Sequence, residues 1–401
     1  MPSANFAAST IWTGDNLPIM RGMNSDCVDL IYLDPPFNSN RHYEAPIGSK
    51  AAGAAFKDAW TLDDVDVHEH GELADRSPAA YAVITASCLT HGRSMQSYLI
   101  FMAVRLLEMQ RILKLTGSIY LHCDPTASHY LKLLMDGIFG KNNFKNEIIW
   151  SYRRWPSKSC NFQTMHDVIL FYTGIAEHNF NVSYEPPSES YLKRFKGKTQ
   201  VLDPETGTRK IVVDKPTKGL PMRDVWEISI LAGSSRERLG YPTQKPLALL
   251  DRIIKASSNP GDMVLDPFCG CATALVAADR LQRQWAGIDL SPLAIRLVND
   301  RITEERGLWG GPTALDVPPK RTDLGHLPSY RTHRHRLYGE QEGICAGCDT
   351  HFPFRVMDVD HILPRSKGGT DHLDNLQLLC SGCNRSKGGK TMAEWRAANR
   401  G

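Results

Sequence analysis

The 401-residue sequence lacks any apolar run long enough to cross a bilayer. Its longest apolar stretch, Tyr98–Val104, falls far short of the ~20 residues that a spanning helix needs. The opening segment MPSANFAAST has neither a basic region nor an apolar core of the kind that marks a secretory signal. Glycine (31) and proline (24) are near average, which excludes collagen-like and low-complexity architectures. A surplus of one charge sign is nearly missing: 47 Lys+Arg face 44 Asp+Glu, a net charge of +3. A disulfide framework is missing too, because Cys27, Cys88, Cys123 and Cys160 are scattered in the manner of reduced, mostly buried thiols. These absences predict a soluble intracellular protein with no membrane partner.

What is present fits a globular chain of two or three domains, with 42% apolar and 23% charged residues. The small basic surplus is unevenly placed. Residues 321–401 carry 12 basic against 9 acidic side chains and six of the 14 histidines, while the rest of the chain balances. Within that balanced part, residues 151–225 hold 12 basic against 8 acidic. Two basic segments on a neutral body point to a polyanionic partner.

Val28–Leu33 (VDLIYL) is a continuous apolar run stopped by Asp34-Pro35-Pro36-Phe37, the pattern of a parallel strand covered on both faces. Residues 94–114 have helical spacing, 118–122 read as a strand and 130–139 as a second helix. The alternation resumes with a helix at 247–257, a strand at 263–266 and another at 285–289. This is the signature of an α/β sheet. Between these blocks, residues 151–225 lose periodicity, although 166–172 still reads as a strand of the main sheet. Here Arg153, Arg154, Lys158, Lys193, Arg194, Lys196 and Lys198 interleave with Trp155, Tyr191 and Phe195. Residues 307–330 are rich in Gly and Pro and read as a semi-extended linker. The expected divisions are therefore 1–150, 151–225, 226–306, 307–330 and 331–401.

One turn carries a ligand-binding logic of its own. The strand ending at Asp266 runs through Gly270 into a helix, and the next strand ends at Asp289, 23 residues beyond Asp266. A glycine there lets a ligand approach the backbone, and a terminal acid can take both hydroxyls of a ribose. By itself the pattern is a weak signal and is more often that of a plain α/β turn with a surface aspartate.

Three motifs narrow the choice: Asp34-Pro35-Pro36-Phe37, Thr243-Gln244-Lys245-Pro246 and Asp266-Pro267-Phe268-Cys269-Gly270. Their identity and order resemble the β class of amino-methylating, S-adenosylmethionine-dependent DNA methyltransferases, over about residues 8–306. The resemblance implies a Rossmann-like, seven-stranded sheet with circularly permuted motif order, into which 151–225 is inserted as a target-recognition region. The strands ending at Asp34 and Asp266 would then be neighbours at the switch point where ligands bind. Asp34 and the Pro35 carbonyl would accept hydrogen bonds from the exocyclic amine of a base, and Pro36 adds no competing N–H. Phe37 would stack on a base rotated out of the duplex. Phe268 and Gly270 would line the S-adenosylmethionine pocket, with Asp266 facing its methionine end and Asp289 its ribose. Thr243, Lys245 and Pro246 would close over the methionine portion. The acidic first residue of the Asp34 motif implies adenine N6 rather than cytosine N4.

The sequence departs from the family after Gly270, where Cys271-Ala272-Thr273 replaces the usual Ser-Gly-Thr. An alanine there costs little unless the backbone needs positive φ. Cys269 and Cys271 read as loop fillers rather than metal ligands. The basic residues of the insert are candidate DNA contacts, with arginine able to read guanine edges.

The tail has two C-x-x-C pairs, Cys345/Cys348 and Cys380/Cys383, 31 residues apart. That spacing predicts a closed, four-thiolate structural Zn²⁺ site, a sensible staple for so small a unit. Asp360-His361, Asn375 and Asn384, flanked by those pairs, resemble the HNH endonucleases over about residues 331–395. The resemblance implies a ββα-metal fold in which His361 is the general base. Asp360 and Asn384 would hold a catalytic Mg²⁺ or Mn²⁺, and Asn375 would fix the loop carrying His361. The combined expectation is a site-specific methyltransferase of double-stranded DNA with a fused nuclease, restriction–modification-like. It would be cytoplasmic and nucleoid-associated, bacterial or phage-encoded, with homodimerisation left open. The alternative is a solitary methyltransferase whose tail only binds DNA.

Overall fold

The computed structural model describes residues 4–37, 41–44, 55–58, 73–74, 76–155, 158, 160–204, 207, 210–306, 311–323, 331–368 and 375–398. Nine strands form its main sheet: β1 (Thr10–Thr13), β2 (Val28–Leu33), β3 (Leu113–Cys123), β4 (Phe144–Ser151), β5 (His166–Thr173), β6 (Val225–Glu227), β7 (Met263–Asp266), β8 (Gln284–Asp289) and β9 (Thr313–Leu315). Their spatial order is β6-β4-β5-β3-β2-β7-β8-β1-β9. All neighbours are parallel except around β5, which runs antiparallel to both β3 and β4. The seven central strands answer to the expected sheet, and the short β6 and β9 extend its two edges.

Parallel strands must be covered on both faces, and β2 shows how. Ile31 and Leu33 belong to one core while Leu30 and Tyr32 belong to the other, as the two-residue side-chain period requires. The first core lies under helices Asn16–Gly22, Pro78–Ile112 and Ser128–Met135, and the second under Leu247–Ser257, Thr273–Arg280 and Pro292–Arg306. Among the described residues, no helix is long and apolar enough to cross a membrane. β7 pairs with β2 through Val264↔Leu30 and Leu265↔Ile31, so Asp34 and Asp266 leave adjacent strands at the same edge.

Three features differ from the sequence reading. The helix expected to start at 94 begins at Pro78 and is broken at Gly92 (φ +80°), which separates its two halves. β4 escaped notice because Lys145–Glu147, in its first half, are exposed and polar. The linker is also largely bound. Residues 311–323 contribute β9, pair parallel with β1, and are tied down by Asn5 Nδ2 to Lys320 O (2.8 Å) and Ser25 N to Asp323 Oδ2 (2.8 Å). A Cβ on Gly22 would meet Pro319 O at 2.0 Å, so the segment presses directly on the body. The free edge of β1 offers unpaired backbone groups, and pairing them outweighs keeping a solvated tether. The remaining linker positions, 307–310 and 324–330, lie outside the described residues.

The insert beyond β5 holds a helix at Glu189–Phe195 and two small antiparallel pairs, Lys198–Leu202 with Lys210–Pro216 and Tyr184–Glu185 with Leu220–Pro221. The tail is a ββα unit: Met357–His361 pairs antiparallel with Leu376–Cys380, and helix Ser381–Lys387 follows. It has its own core, including Leu337, Phe354, Met357, Leu378 and Leu379, against which Tyr81 of the body packs.

Candidate active sites and metal centre

Asp34 follows directly on β2, where the chain must leave the sheet. Lys245, only 7% exposed, donates from Nζ to Asp34 Oδ2, with a weaker bond to Thr243 O (3.4 Å). The other oxygen, Asp34 Oδ1, is buried without a hydrogen-bond partner among the described residues. An unmet buried acceptor costs about 1–3 kcal/mol, so this edge of the carboxylate can accept a further hydrogen bond at a gain. Phe37 stacks on His122 at 5.9 Å and 28°, and Lys245 Nζ sits 5.3 Å from its ring centre. Lys245, implied by resemblance to cover the methionine portion of the cofactor, is here paired with Asp34 of the first motif. The Thr243 segment supports this placement. Thr243 itself has φ +60°, and Glu237 Oε1 accepts from Leu247 N (2.6 Å) to anchor the start of helix Leu247–Ser257 behind Pro246.

Asp266 ends β7 fully buried, accepting from Phe268 N (3.1 Å). Burial pushes its carboxyl well above the usual range, and the nearby Asp34 and Asp289 charges add to the shift. Asp289 closes β8, accepting from Gly270 N and Ser291 N, both at 2.8 Å, and burial raises its carboxyl also. Gly270 has φ +48°, and a Cβ there would meet the Tyr241 ring at 3.1 Å. The alanine that replaces a family glycine, Ala272, has φ +61°. It therefore occupies the left-handed region, at a cost of about 1 kcal/mol that glycine would avoid. Cys269 and Cys271 are buried, their thiols pushed up by burial, and neither joins a metal-ligating cluster among the described residues.

Residues that the motifs did not flag hold this loop from below. Asn16 Nδ2 donates to Pro267 O (2.8 Å), and Asn16 Oδ1 accepts from Arg105 Nε (2.7 Å). Arg105 also bonds Asp15 Oδ1 (2.8 Å) and lies 3.6 Å over the Phe101 ring. The available signal was an arginine in the middle of an apolar helical run, which demands a buried partner. His122 was missed as well. It is completely buried, with Nδ1 3.0 Å from Tyr32 Oη and Nε2 3.1 Å from Asp167 Oδ2.

The seven basic candidates of the insert are all exposed. Arg154 donates to Tyr152 Oη (3.1 Å), Lys193 lies near Glu189 (3.9 Å), Lys198 pairs with Asp214 (3.0 Å), and Arg194 sits 5.1 Å over the Phe195 ring. Lys196 closes helix Glu189–Phe195 in a left-handed conformation. Arg153 and Lys158 lie on the loop between β4 and β5.

In the tail, the Sγ atoms of Cys345, Cys348, Cys380 and Cys383 lie within 4.8 Å of one another. Backbone N–H groups of Gly347 and Cys380 point at Cys345 Sγ (3.3 and 3.1 Å), and that of Cys383 points at Cys380 Sγ (3.4 Å). Such donors favour thiolates, which suits a tetrahedral metal site. The residues to which resemblance gives catalytic roles are arranged less simply. Asp360 is held by Lys387 Nζ (3.0 Å) and Gln377 Nε2 (2.8 Å), and Lys387 also bonds His361 O (2.9 Å). Asn384 Nδ2 donates to Asp358 Oδ2 (3.3 Å). Asn384 and Lys387, three apart on one helix, thus face Asp358 and Asp360, two apart on one strand. Asn375 bonds both backbone groups of Leu363, accepting from N (2.9 Å) and donating to O (3.0 Å) just beyond His361.

Comparison with known proteins agrees with this division. The DNA methylase (N6/N4) family matches residues 28–300, and the HNH endonuclease family matches 345–390. The chain is 30% identical to the type II methyltransferase M.EcaI of Enterobacter cloacae, over 75% of this chain and 71% of that protein. It is 26% identical to the DNA adenine methyltransferase YhdJ of Escherichia coli K12, over 72% and 81%. Among solved structures, M1.HpyAVI in complex with SAM aligns at 18% identity and TM-score 0.40, over 73% of this chain and 98% of that one. The cytosine-N4-specific PvuII DNA methyltransferase aligns at 13% and 0.43, over 77% and 97%. The chain belongs to the N6/N4 family of DNA methylases and carries a C-terminal HNH domain.

Proposed function

We propose that the chain methylates adenine N6 in double-stranded DNA and that its tail cleaves DNA. The observation that carries the first part is the pairing of Lys245 with Asp34 Oδ2, which leaves Oδ1 buried and without a partner among the described residues. An exocyclic amine has two N–H groups, and Asp34 Oδ1 and the Pro35 carbonyl are two acceptors for them. Accepting both orients the nitrogen lone pair and favours its change toward sp³ geometry. Phe37, backed by His122, offers the base a flat face. The residues present fit S-adenosylmethionine, because the Gly270 backbone lies so close to Tyr241 that any side chain would crowd the cradle. Phe268, Gly270, Asp289 and the Asp266 loop would hold it, and once bound it supplies the methyl group. Adenine rather than cytosine is favoured by the acidic first residue of the Asp34 motif and by the likeness to a relative described as an adenine methyltransferase. Nucleoside analysis of DNA from an expressing host tests this. N6-methyladenine is the expected product, and N4-methylcytosine alone would overturn the assignment.

In the tail, the four cysteines would hold Zn²⁺ as a staple. Asp360 and Asn384, with Asp358 beside them, supply hard oxygen donors suited to Mg²⁺ or Mn²⁺. Lys387 already neutralises Asp360, so a divalent ion there requires that ammonium to move aside. His361 would take the proton from the attacking water. Plasmid cleavage in Mg²⁺ or Mn²⁺, compared with His361→Ala, tests the assignment. Binding without cleavage in both proteins would leave the tail a DNA-binding module.

A further inference from the structure

His122 has no part in the motif-derived site, yet it lies directly behind it. Its ring is completely buried at the active end of β3, with both nitrogens engaged. The contacts form one continuous chain. Arg154 Nη2 donates to Tyr152 Oη (3.1 Å) and Tyr152 Oη to Asp167 Oδ1 (2.8 Å), while His122 Nε2 lies 3.1 Å from Asp167 Oδ2 and His122 Nδ1 lies 3.0 Å from Tyr32 Oη. The tyrosines and the aspartate hold matching protonation states. Burial keeps the Tyr32 hydroxyl protonated. Burial alone would raise Asp167, but the His122 hydrogen bond and the charges of His122 and Lys245 outweigh it and hold the carboxyl at about 2.

A ring tied at both nitrogens cannot turn without breaking both bonds. Phe37 stacks on that ring (5.9 Å, 28°), and Trp150 abuts it edge-on (5.5 Å, 88°). The plane of Phe37 is therefore set by a ring that is itself fixed from two strands. We propose that His122, clamped by Tyr32 and Asp167, is a positioning residue that holds Phe37 in the plane needed to stack a purine rotated out of DNA. Tyr152 and Arg154 extend the same clamp to the basic insert. The inference rests on the methyltransferase reading and deepens it.

The test uses full-length protein and, once the recognition site is mapped from methylated host DNA, a duplex with 2-aminopurine at the target position. His122→Phe keeps an aromatic face without the hydrogen bonds, and Asp167→Asn weakens the clamp without changing its shape. Both should bind S-adenosylmethionine within about twofold of wild type. Both should lose most of the 2-aminopurine fluorescence rise and at least tenfold in kcat/KM for DNA, with Tyr152→Phe intermediate. Wild-type fluorescence and turnover in folded His122→Phe and Asp167→Asn would overturn the positioning role while leaving the methyltransferase reading intact. If His122→Phe fails to fold, the other two variants decide in the same way. Failure of the wild-type protein to methylate any DNA would overturn that reading and the inference with it.

Discussion

Lys245 holds one oxygen of Asp34 and leaves the other buried and without a partner among the described residues, although the two residues stand 211 positions apart. One lysine thereby determines which oxygen of the carboxylate remains available. It also offsets the negative charge of a site where Asp34, Asp266 and Asp289 converge.

Lys245→Met should lower kcat for methyl transfer by about 10²-fold or more, the scale for losing one preorganised electrostatic contact. Binding of S-adenosylmethionine should change little, and Lys245→Arg should recover part of the rate. Calorimetric titration of the cofactor beside single-turnover kinetics separates the two effects. Weakened cofactor binding with normal kcat would return Lys245 to the methionine side. Asp34→Ala should abolish methylation with cofactor affinity nearly unchanged.

Asp266 makes stability fall as pH rises. Its folded carboxyl is raised by burial, so the folded state binds the proton more tightly than the unfolded chain does. That contribution is fully present below the unfolded value of ~3.9 and declines as pH rises toward the folded one. Asp266→Asn keeps the acceptor for Phe268 N and removes the ionisation. The cofactor-free variant should therefore melt above wild type at pH 7 and match it near pH 4. Thermal scans across that range would show a pH-independent offset if burial of the charge is not the cause.

Ala272→Gly should relieve about 1 kcal/mol of left-handed strain while losing a buried methyl worth ~0.8 kcal/mol. The expected change in stability is thus small. Ala272→Val adds a β-branched side chain at φ +61° and should destabilise by 2 kcal/mol or more, at the upper end of the cost of strained backbone. Denaturant unfolding of both variants checks the pair, and a well-tolerated valine would contradict the backbone assignment.

One Zn²⁺ per chain is expected, bound through the four tail cysteines. A chain ending at Asp323 retains β9 and its contacts with the body, so it should fold, methylate and contain no zinc by elemental analysis. Stoichiometric zinc in that shortened protein would show that the ligands lie elsewhere.

His361→Ala should lose cleavage and keep methylation, and Asp34→Ala should do the reverse. The two units share a contact, since Tyr81 packs on the tail core and hydrogen-bonds Tyr338, but neither residue belongs to a site. A folded His361→Ala protein that lost methylation by orders of magnitude would show that the sites are coupled.

The motif residues were legible because each stands at a place where chain geometry restricts the choice. Asp34 and Asp289 end strands, Gly270 has positive φ, and paired C-x-x-C turns bring sulfurs together. Local pattern also located β2, β7 and helix Leu247–Ser257, since apolar period and stop residues act over a few positions. Pairings between distant segments were not legible. Nothing near Lys245 in sequence marks it as the partner of Asp34, and nothing near His122 marks Tyr32 or Asp167. The Gly- and Pro-rich composition of 307–330 gave no sign that β1 would leave an edge for its 311–323 stretch to join. Sequence by itself determined the two units, their likeness to known families and the residues at strand ends and metal turns. Tertiary structure alone decided which charges meet, because a buried ion pair or hydrogen bond depends on which surfaces the sheet brings within 3 Å.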